Sequence, residues 1–315
     1  MCLWRAPWNG ERGNRSPGGS KGYLVGYASI IRGKNGNRYI SGGVVSFGME
    51  ALEKGLITRE DTGGIDLTWG NSEAMIEMVR QVGMREGFGA VLGEGVRKAA
   101  EHIGGTASEF ALHVKGLEFP AHDPRSMNLL ALSYATVNFG AGHMAGGLYT
   151  AVHTATPELG MDRPDDDESR FWTEGRGALT TRLQNWGSLV NAMGTCAISF
   201  MLWLPPGKGI IPSTALEWLN AATGWDMDLE EFLKCGERIF NLQRMINVRR
   251  GISRKDDTLP ARFLTERLKD GGTRGNLPCL GPWLGEYYSC RGWTDDGIPT
   301  PEKLHELDLE YCMSR

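Results

Sequence analysis

Apolar residues recur along this chain at steps of three and four, the spacing that lines one face of a helix. Gly43 to Lys54 carries Val44, Val45, Phe47 and Leu52 and meets Gly55, so it predicts a helix with a glycine stop. Asn71 and Ser72 are cap candidates for a helix to about Val82, with Met75, Met78, Val79 and Val82 on one face. Gly87–Phe88–Gly89 breaks it. A second helix bearing Leu92, Val96, Ala99, Ala100 and Ile103 then runs to Gly104–Gly105, and the two read as a helical hairpin. Val114 to Phe119 predicts extended chain, and Pro120 and Pro124 exclude regular helix from the PAHDPR step. Met127 to about Val137 predicts another helix. Thr154 to Asp167 is polar and acidic and reads as a surface loop.

The longest pattern runs from Gly175 to Phe200 and predicts one helix, with Leu179, Leu183, Trp186, Leu189, Val190, Met193 and Cys196 on a shared face. Pro205–Pro206 ends any continuation. Thr214 and Glu217 predict a capping box for a helix closed by Gly224. Asp228 and Glu231 predict another, opening a helix toward Val248 whose apolar face holds Phe232, Cys235, Ile239, Leu242, Met245 and Ile246. Thr300 followed by Pro301 opens a last short helix. No alternation of strands with helices points to a doubly wound sheet, so the predicted class is all-α. Residues 1–22 are rich in Gly, Arg, Pro and Asn and predict a disordered or peripheral start.

Composition narrows the function classes. The 315 residues have a net charge of −4 without a dominant basic tract, which argues against nucleic-acid binding. Nothing approaches a membrane-spanning apolar run, and no signal-peptide pattern opens the chain. The six cysteines are scattered and no CxxC pair occurs, which points to a reducing cytoplasm rather than a disulfide scaffold.

Four places could carry chemistry. Cys196 is either a small core hydrophobe or one ligand of a metal centre. His122–Asp123 is either an acid–base couple or a turn whose aspartate caps the next helix, and Lys115, Glu118 and Arg125 flank it. His143 stands among Gly140, Gly142, Gly146 and Gly147. It is either a proton donor presented where glycine permits close approach, or a histidine satisfied at a helix crossing. The run RRGISRKDDTLP is either an anion clamp or a solvated, salt-linked loop. Tyr287, Tyr288 and Trp293 predict packing of the carboxy-terminal arm onto the body.

Several runs together resemble the aldehyde ferredoxin oxidoreductases. They are SFGMEALEKGLI (46–57), REGFGAVLGEGVRKAAEHIG (85–104), VKGLEFPAHDPR (114–125), LSYATVNFGAGH (132–143), LVNAMGTC (189–196), the run 219–263, and YYSCRGWTDDGIPTPEKL (287–304). The resemblance covers roughly Ile40 to Glu310 and implies domains 2 and 3 of that family, a large helical assembly. It implies a first helical domain over 39–200 and a carboxy-terminal helical region over 201–315, the two able to pack as one unit, behind a disordered or divergent segment 1–38.

The resemblance also implies a site. NAMGTC, Asn191 to Cys196, stands where the family has DxxGLC, so Cys196 matches the fourth ligand of a [4Fe–4S] cluster. Asn191, Gly194 and Thr195 match the side facing a tungsten or molybdenum bis-pterin. Asn191 replaces an aspartate and accepts a hydrogen bond more weakly than a carboxylate. His143 matches the family histidine near the metal, a proton donor. The CxxCxxxC run that would supply three more cluster cysteines is absent. Gly33 to Arg38, GKNGNR, retains only Gly36 of a second pterin motif. The implied chemistry oxidises an aldehyde to a carboxylic acid and passes electrons to ferredoxin. Relatives acting on aromatic thioesters are not separated from this. Two readings follow: an oxidoreductase complete only within a larger protein or complex, or a non-catalytic helical subunit or remnant that binds a pterin-domain partner. Pairing with a second copy is a further expectation.

Overall fold

The computed structural model describes residues 30–32, 38–144, 156–161, 166, 168–195, 210–268 and 271–313. Among these the chain is predominantly helical, in line with the all-α expectation: eleven α-helices and short 3-10 turns stand against two small antiparallel hairpins. The expectations for residues 1–29, for GKNGNR before Arg38, and for Cys196 fall outside the described residues.

Strands β1 (Ile30–Arg32) and β2 (Arg38–Ile40) pair with Ile31 opposite Tyr39. They lead into α1 (Ser41–Glu53), followed by α2 (Ser72–Met84), α3 (Gly87–Leu92) and α4 (Val96–Ile103). Asn71 caps α2 as predicted, its side chain accepting from the Ala74 N–H at 3.1 Å. The single helix predicted through Leu92 and Ile103 is two helices. The N–H groups of Gly93, Glu94 and Gly95 turn back on the preceding carbonyls, and Gly95 at φ 91° breaks the run. Val44, Phe47, Leu67, Met78, Leu92 and Val96 join in one local core.

The remaining described residues form a second region. Strands β3 (His113–Val114) and β4 (Leu117–Glu118) make the predicted extended segment into a hairpin. The helices are α5 (Asn128–Thr136), α6 (Arg176–Ala192), α7 (Pro212–Thr223), α8 (Leu229–Arg249), α9 (Ala261–Thr265), α10 (Leu280–Arg291) and α11 (Pro301–Glu306). Helix α6 is the centre, with α5, α8 and α10 packed on it. The crossing with α8 is backbone-close: a Cβ on Gly236 would lie 2.3 Å from the Asn185 carbonyl oxygen, so only glycine fits. Leu183, Trp186 and Leu189 of α6 meet Leu129, Ala215 and Phe232. Tyr134, Phe240, Trp283, Tyr287, Tyr288 and Trp293 fill a second cluster.

The structure departs from the pattern in five places. Helix α6 ends at Ala192, not Phe200. The Gly194 N–H bonds the Asn191 carbonyl at 3.1 Å and the Thr195 N–H bonds Val190 at 3.4 Å, with Gly194 left-handed at φ 68°, a Schellman stop. Helix α7 starts at Pro212 rather than Thr214, and Glu158 accepts from both the N–H and the hydroxyl of Ser213. The stretch predicted as a surface loop therefore reaches inward: Thr156, Leu159 and Met161 are buried. In α8 the buried set is Phe232, Gly236, Phe240, Asn241, Arg244 and Met245, and Ile246 is exposed. Helix α10 goes unpredicted because Gly281, Pro282 and Gly285 disguise it. Pro282 sits in the first turn, where its missing N–H leaves no bond unmade.

Candidate functional site

His122 lies on a turn that its neighbours pin. Two prolines forbid helix there, the His122 N–H donates to the Pro120 carbonyl at 2.7 Å, and Asp123 accepts from the Arg125 N–H at 2.8 Å. The aspartate of the His-Asp pair is thus a cap. It also receives the buried Arg125 guanidinium, Nε to Oδ1 at 3.0 Å and Nη2 to Oδ2 at 2.7 Å. Arg125 spans onward to the Glu266 carbonyl at 2.6 Å and lies over Phe263. The Tyr134 hydroxyl of α5 donates to the His122 carbonyl at 3.3 Å.

His143 arrives from the other side of α5. The chain leaves that helix at Val137, and Asn138 clamps the exit. The Asn138 Nδ2 donates to the Phe240 carbonyl at 3.1 Å, while the Asn247 Nδ2 donates to the Asn138 carbonyl at 2.6 Å. Gly140, at φ 110°, presses on the β3–β4 hairpin so closely that a Cβ would fall 2.4 Å from the Val114 carbonyl oxygen. The segment therefore delivers His143 to His122, and the two ring centroids are 4.8 Å apart at 50° between planes.

Burial first, and that spacing second, act on their charge. Two imidazolium charges so placed repel by about 1 kcal/mol in water and about 3.5 kcal/mol at a surface-like dielectric. His122 keeps a solvent-exposed edge, which holds the value toward the lower end. Burial lowers the pKa of His143 to about 4, and the neighbouring His122 adds to the shift. Burial lowers His122 as well. Both rings are neutral at pH 7 and carry lone pairs for accepting a proton.

Beneath the hairpin lies a buried charge cluster. Lys115 Nζ contacts Asp257 Oδ1 at 2.9 Å and donates to the Ala135 carbonyl at 2.6 Å. Arg244 grips both Asp257 oxygens at 3.0 and 2.8 Å, and the Tyr288 hydroxyl donates to Oδ2 at 2.7 Å. Burial pulls Lys115 below the ordinary lysine value against the pull of Asp257, and burial raises Tyr288, with Asp257 adding. The acidic half of RRGISRKDDTLP is therefore no solvated loop at Asp257. A second network joins Arg291 to Gln184 Oε1 at 2.8 Å and to the Tyr287 hydroxyl at 3.1 Å, while Gln184 reaches Thr136 at 2.9 Å. Lys115, Glu118 and Arg125 do not converge: Glu118 instead accepts from the Val96 N–H at 2.7 Å.

Asn191, Gly194 and Thr195 sit together at the exposed end of α6, where the Thr195 hydroxyl donates to the Val190 carbonyl at 2.8 Å. Cys196 lies outside the described residues. Cys235, Cys279, Cys290 and Cys312 are free thiols on different elements. Among the described residues no group of three or more His, Cys, Asp or Glu could hold a metal ion. These donors do not fit a four-iron cluster, which needs four converging thiolates.

Residues 39–309 match the family model described as aldehyde ferredoxin oxidoreductase, domains 2 and 3. The chain is 36% identical over 273 residues to the tungsten-containing aldehyde ferredoxin oxidoreductase of Pyrococcus abyssi, covering 85% of this chain and 42% of that protein. It is 34% identical over 271 residues to the protein of the same name from Thermococcus kodakarensis, with 85% and 42% covered. The aliphatic sulfonate oxidoreductase, WOR-like subunit, of Pyrococcus furiosus is 29% identical over 282 residues, with 85% and 40% covered. The fold is shared with the active site complex BamBC of benzoyl coenzyme A reductase in complex with 1,5 dienoyl-CoA. The TM-score is 0.68 at 24% identity, over 86% of this chain and 44% of that one. The chain thus spans less than half the length of these relatives.

Proposed function

Because this chain belongs to the aldehyde ferredoxin oxidoreductase family, we propose that it serves as the helical part of an oxidoreductase whose pterin and cluster are held mainly by residues outside it. The observation that carries this reading is the match of residues 39–309 to domains 2 and 3. By itself the chain is a non-catalytic helical subunit that binds a pterin-domain partner. In the assembled protein the reaction is oxidation of an aldehyde to a carboxylic acid, with ferredoxin as electron acceptor. A tungsten or molybdenum bis-pterin and a [4Fe–4S] cluster would supply the redox chemistry.

This chain's own part is positional. His143, neutral and held on a clamped segment, is the group that takes or returns a proton at one imidazole nitrogen. Asn191, Gly194 and Thr195 form the polar end of α6 that would face the pterin, and Cys196 would be one cluster ligand. The thiols of the described residues stand apart and do not converge on a cluster.

The test is iron and sulfide analysis of the purified chain, then of the chain co-expressed with a polypeptide carrying a pterin-binding sheet domain and a CxxCxxxC run. Alone, it should hold no stoichiometric iron and should not oxidise aldehydes. Together, the two should co-purify with iron and gain activity. Four irons per chain on the isolated protein, or no association with the partner, would overturn the reading.

A further inference from the structure

We propose that His122 and His143 act as one proton-holding pair, in which His122 is the solvent-facing end through which His143 exchanges its proton. The inference rests on the functional reading above only for the use to which the proton is put; the coupling is a property of the described residues themselves.

Three observations carry it. The rings meet, with centroids 4.8 Å apart. One ring is exposed and the other is partly buried, so the pair has an outside and an inside. Each ring's carrier is anchored within a few residues of the ring. The His122 turn is tied down by Asp123 and Arg125, and the His143 segment by Asn138 and by Gly140 against the hairpin.

The ionisable neighbours on the packed elements have other commitments. Asp123 is bound by Arg125, Lys115 by Asp257 and the Ala135 carbonyl, and the Tyr134 hydroxyl points to the His122 backbone carbonyl. At a centroid distance of 4.8 Å each imidazole senses the charge state of the other. When a proton passes, one N–H bond breaks on the inner ring and one forms on the outer ring. The pair carries a single positive charge before and after, and the proton then leaves to solvent water. His122 acts through His143 and is a positioning residue rather than a catalytic one.

The experiment is a pH titration of the imidazole nitrogens by NMR on the full chain labelled with 15N-histidine. The His143 midpoint should lie well below that of an ordinary histidine, and each ring should show an inflection at the other's midpoint. His122→Phe keeps a flat ring but removes the second charge. It should raise the His143 midpoint by about one pH unit, a roughly tenfold gain in proton affinity, and should leave a one-step curve. His122→Gln, which keeps a polar side chain on the turn, should do the same if phenylalanine disturbs the fold. An unchanged His143 curve in both variants, or an ordinary one-step titration in the unmodified chain, would overturn the proposal. Neither outcome depends on iron content or partner binding, so the two readings fail separately.

Discussion

The core around α1 to α4 and the core around α6 are built by opposite means. Apart from Thr62, the buried side chains between Val44 and Ala111 are apolar, and they come from helices adjacent in sequence. The α6 core buries Arg125, Arg244, Arg291, Asp257, Gln184 and Asn241, and draws them from segments far apart. An apolar core asks only for burial, which is non-directional. A polar core needs each partner in place, because a buried polar group without a hydrogen bond is costly. The first region therefore suits a supporting body, and the second suits a frame that fixes side chains in set positions. His122 and His143 are mounted on the second.

The sharpest way to break this contrast is Asp257→Ala. It would strand Lys115 and Arg244 as uncompensated charges, a loss of about 3 to 5 kcal/mol. Hydrogen exchange should show α5, α8 and α10 losing protection while α2 and α4 keep theirs. Equal loss in both regions would mean that the two cores are not energetically distinct.

A pH scan comes next in size. Folding favours the neutral form of His143 and His122, since both sit below the ordinary histidine value. The His143 contribution is full above about pH 6.5 and is lost as the pH falls toward about 4, at a cost of roughly 2 kcal/mol after allowing for partial exposure, and His122 acts in the same direction. Glu118 opposes this slope: burial raises its pKa, so its contribution is lost as the pH rises. Urea midpoints at neutral and acidic pH should converge more closely in His143→Gln than in the unmodified chain. The same slope in both would remove His143 from the account.

The smallest effect concerns the join between the regions. Arg262 of α9 clasps Glu50 of α1 through two hydrogen bonds, at 3.0 and 2.6 Å, with both side chains partly exposed. Arg262→Ala should cost about 1 kcal/mol, less at high salt, and should raise exchange in α1 more than in α6. An effect confined to α9 would show that the pair does not couple the regions.

The same contrast explains what could be read in advance. Helices α2 and α4 have one apolar face, so periodicity found their residues and Asn71 marked a start. Helix α5 is buried all round, so no stripe marks a face, and the sequence supports only an approximate span from Met127 to about Val137. In α6 the face from Leu183 to Val190 was legible, but Arg176, Thr180, Thr181, Gln184 and Ser188 are buried too, and no polar residue announces that. Met193 and Cys196 continue the spacing past the true end, which masked the stop at Gly194. Asp257 sits in a run that reads as solvent-facing because Lys115 and Arg244 meet it only in three dimensions. The family resemblance pointed to His143. Nothing local pointed to His122 as its neighbour, since α5 lies between them in sequence and folds them back together.

The Asn138 clamp has a further consequence. The backbone just ahead of His143 is held by Phe240 and Asn247, both on α8. The imidazole therefore takes its bearings from a helix that joins the chain much later. A lesion in the last turns of α8 would reach the proton-carrying ring at a distance, displacing it without altering a single atom of the glycine-rich stretch that presents it.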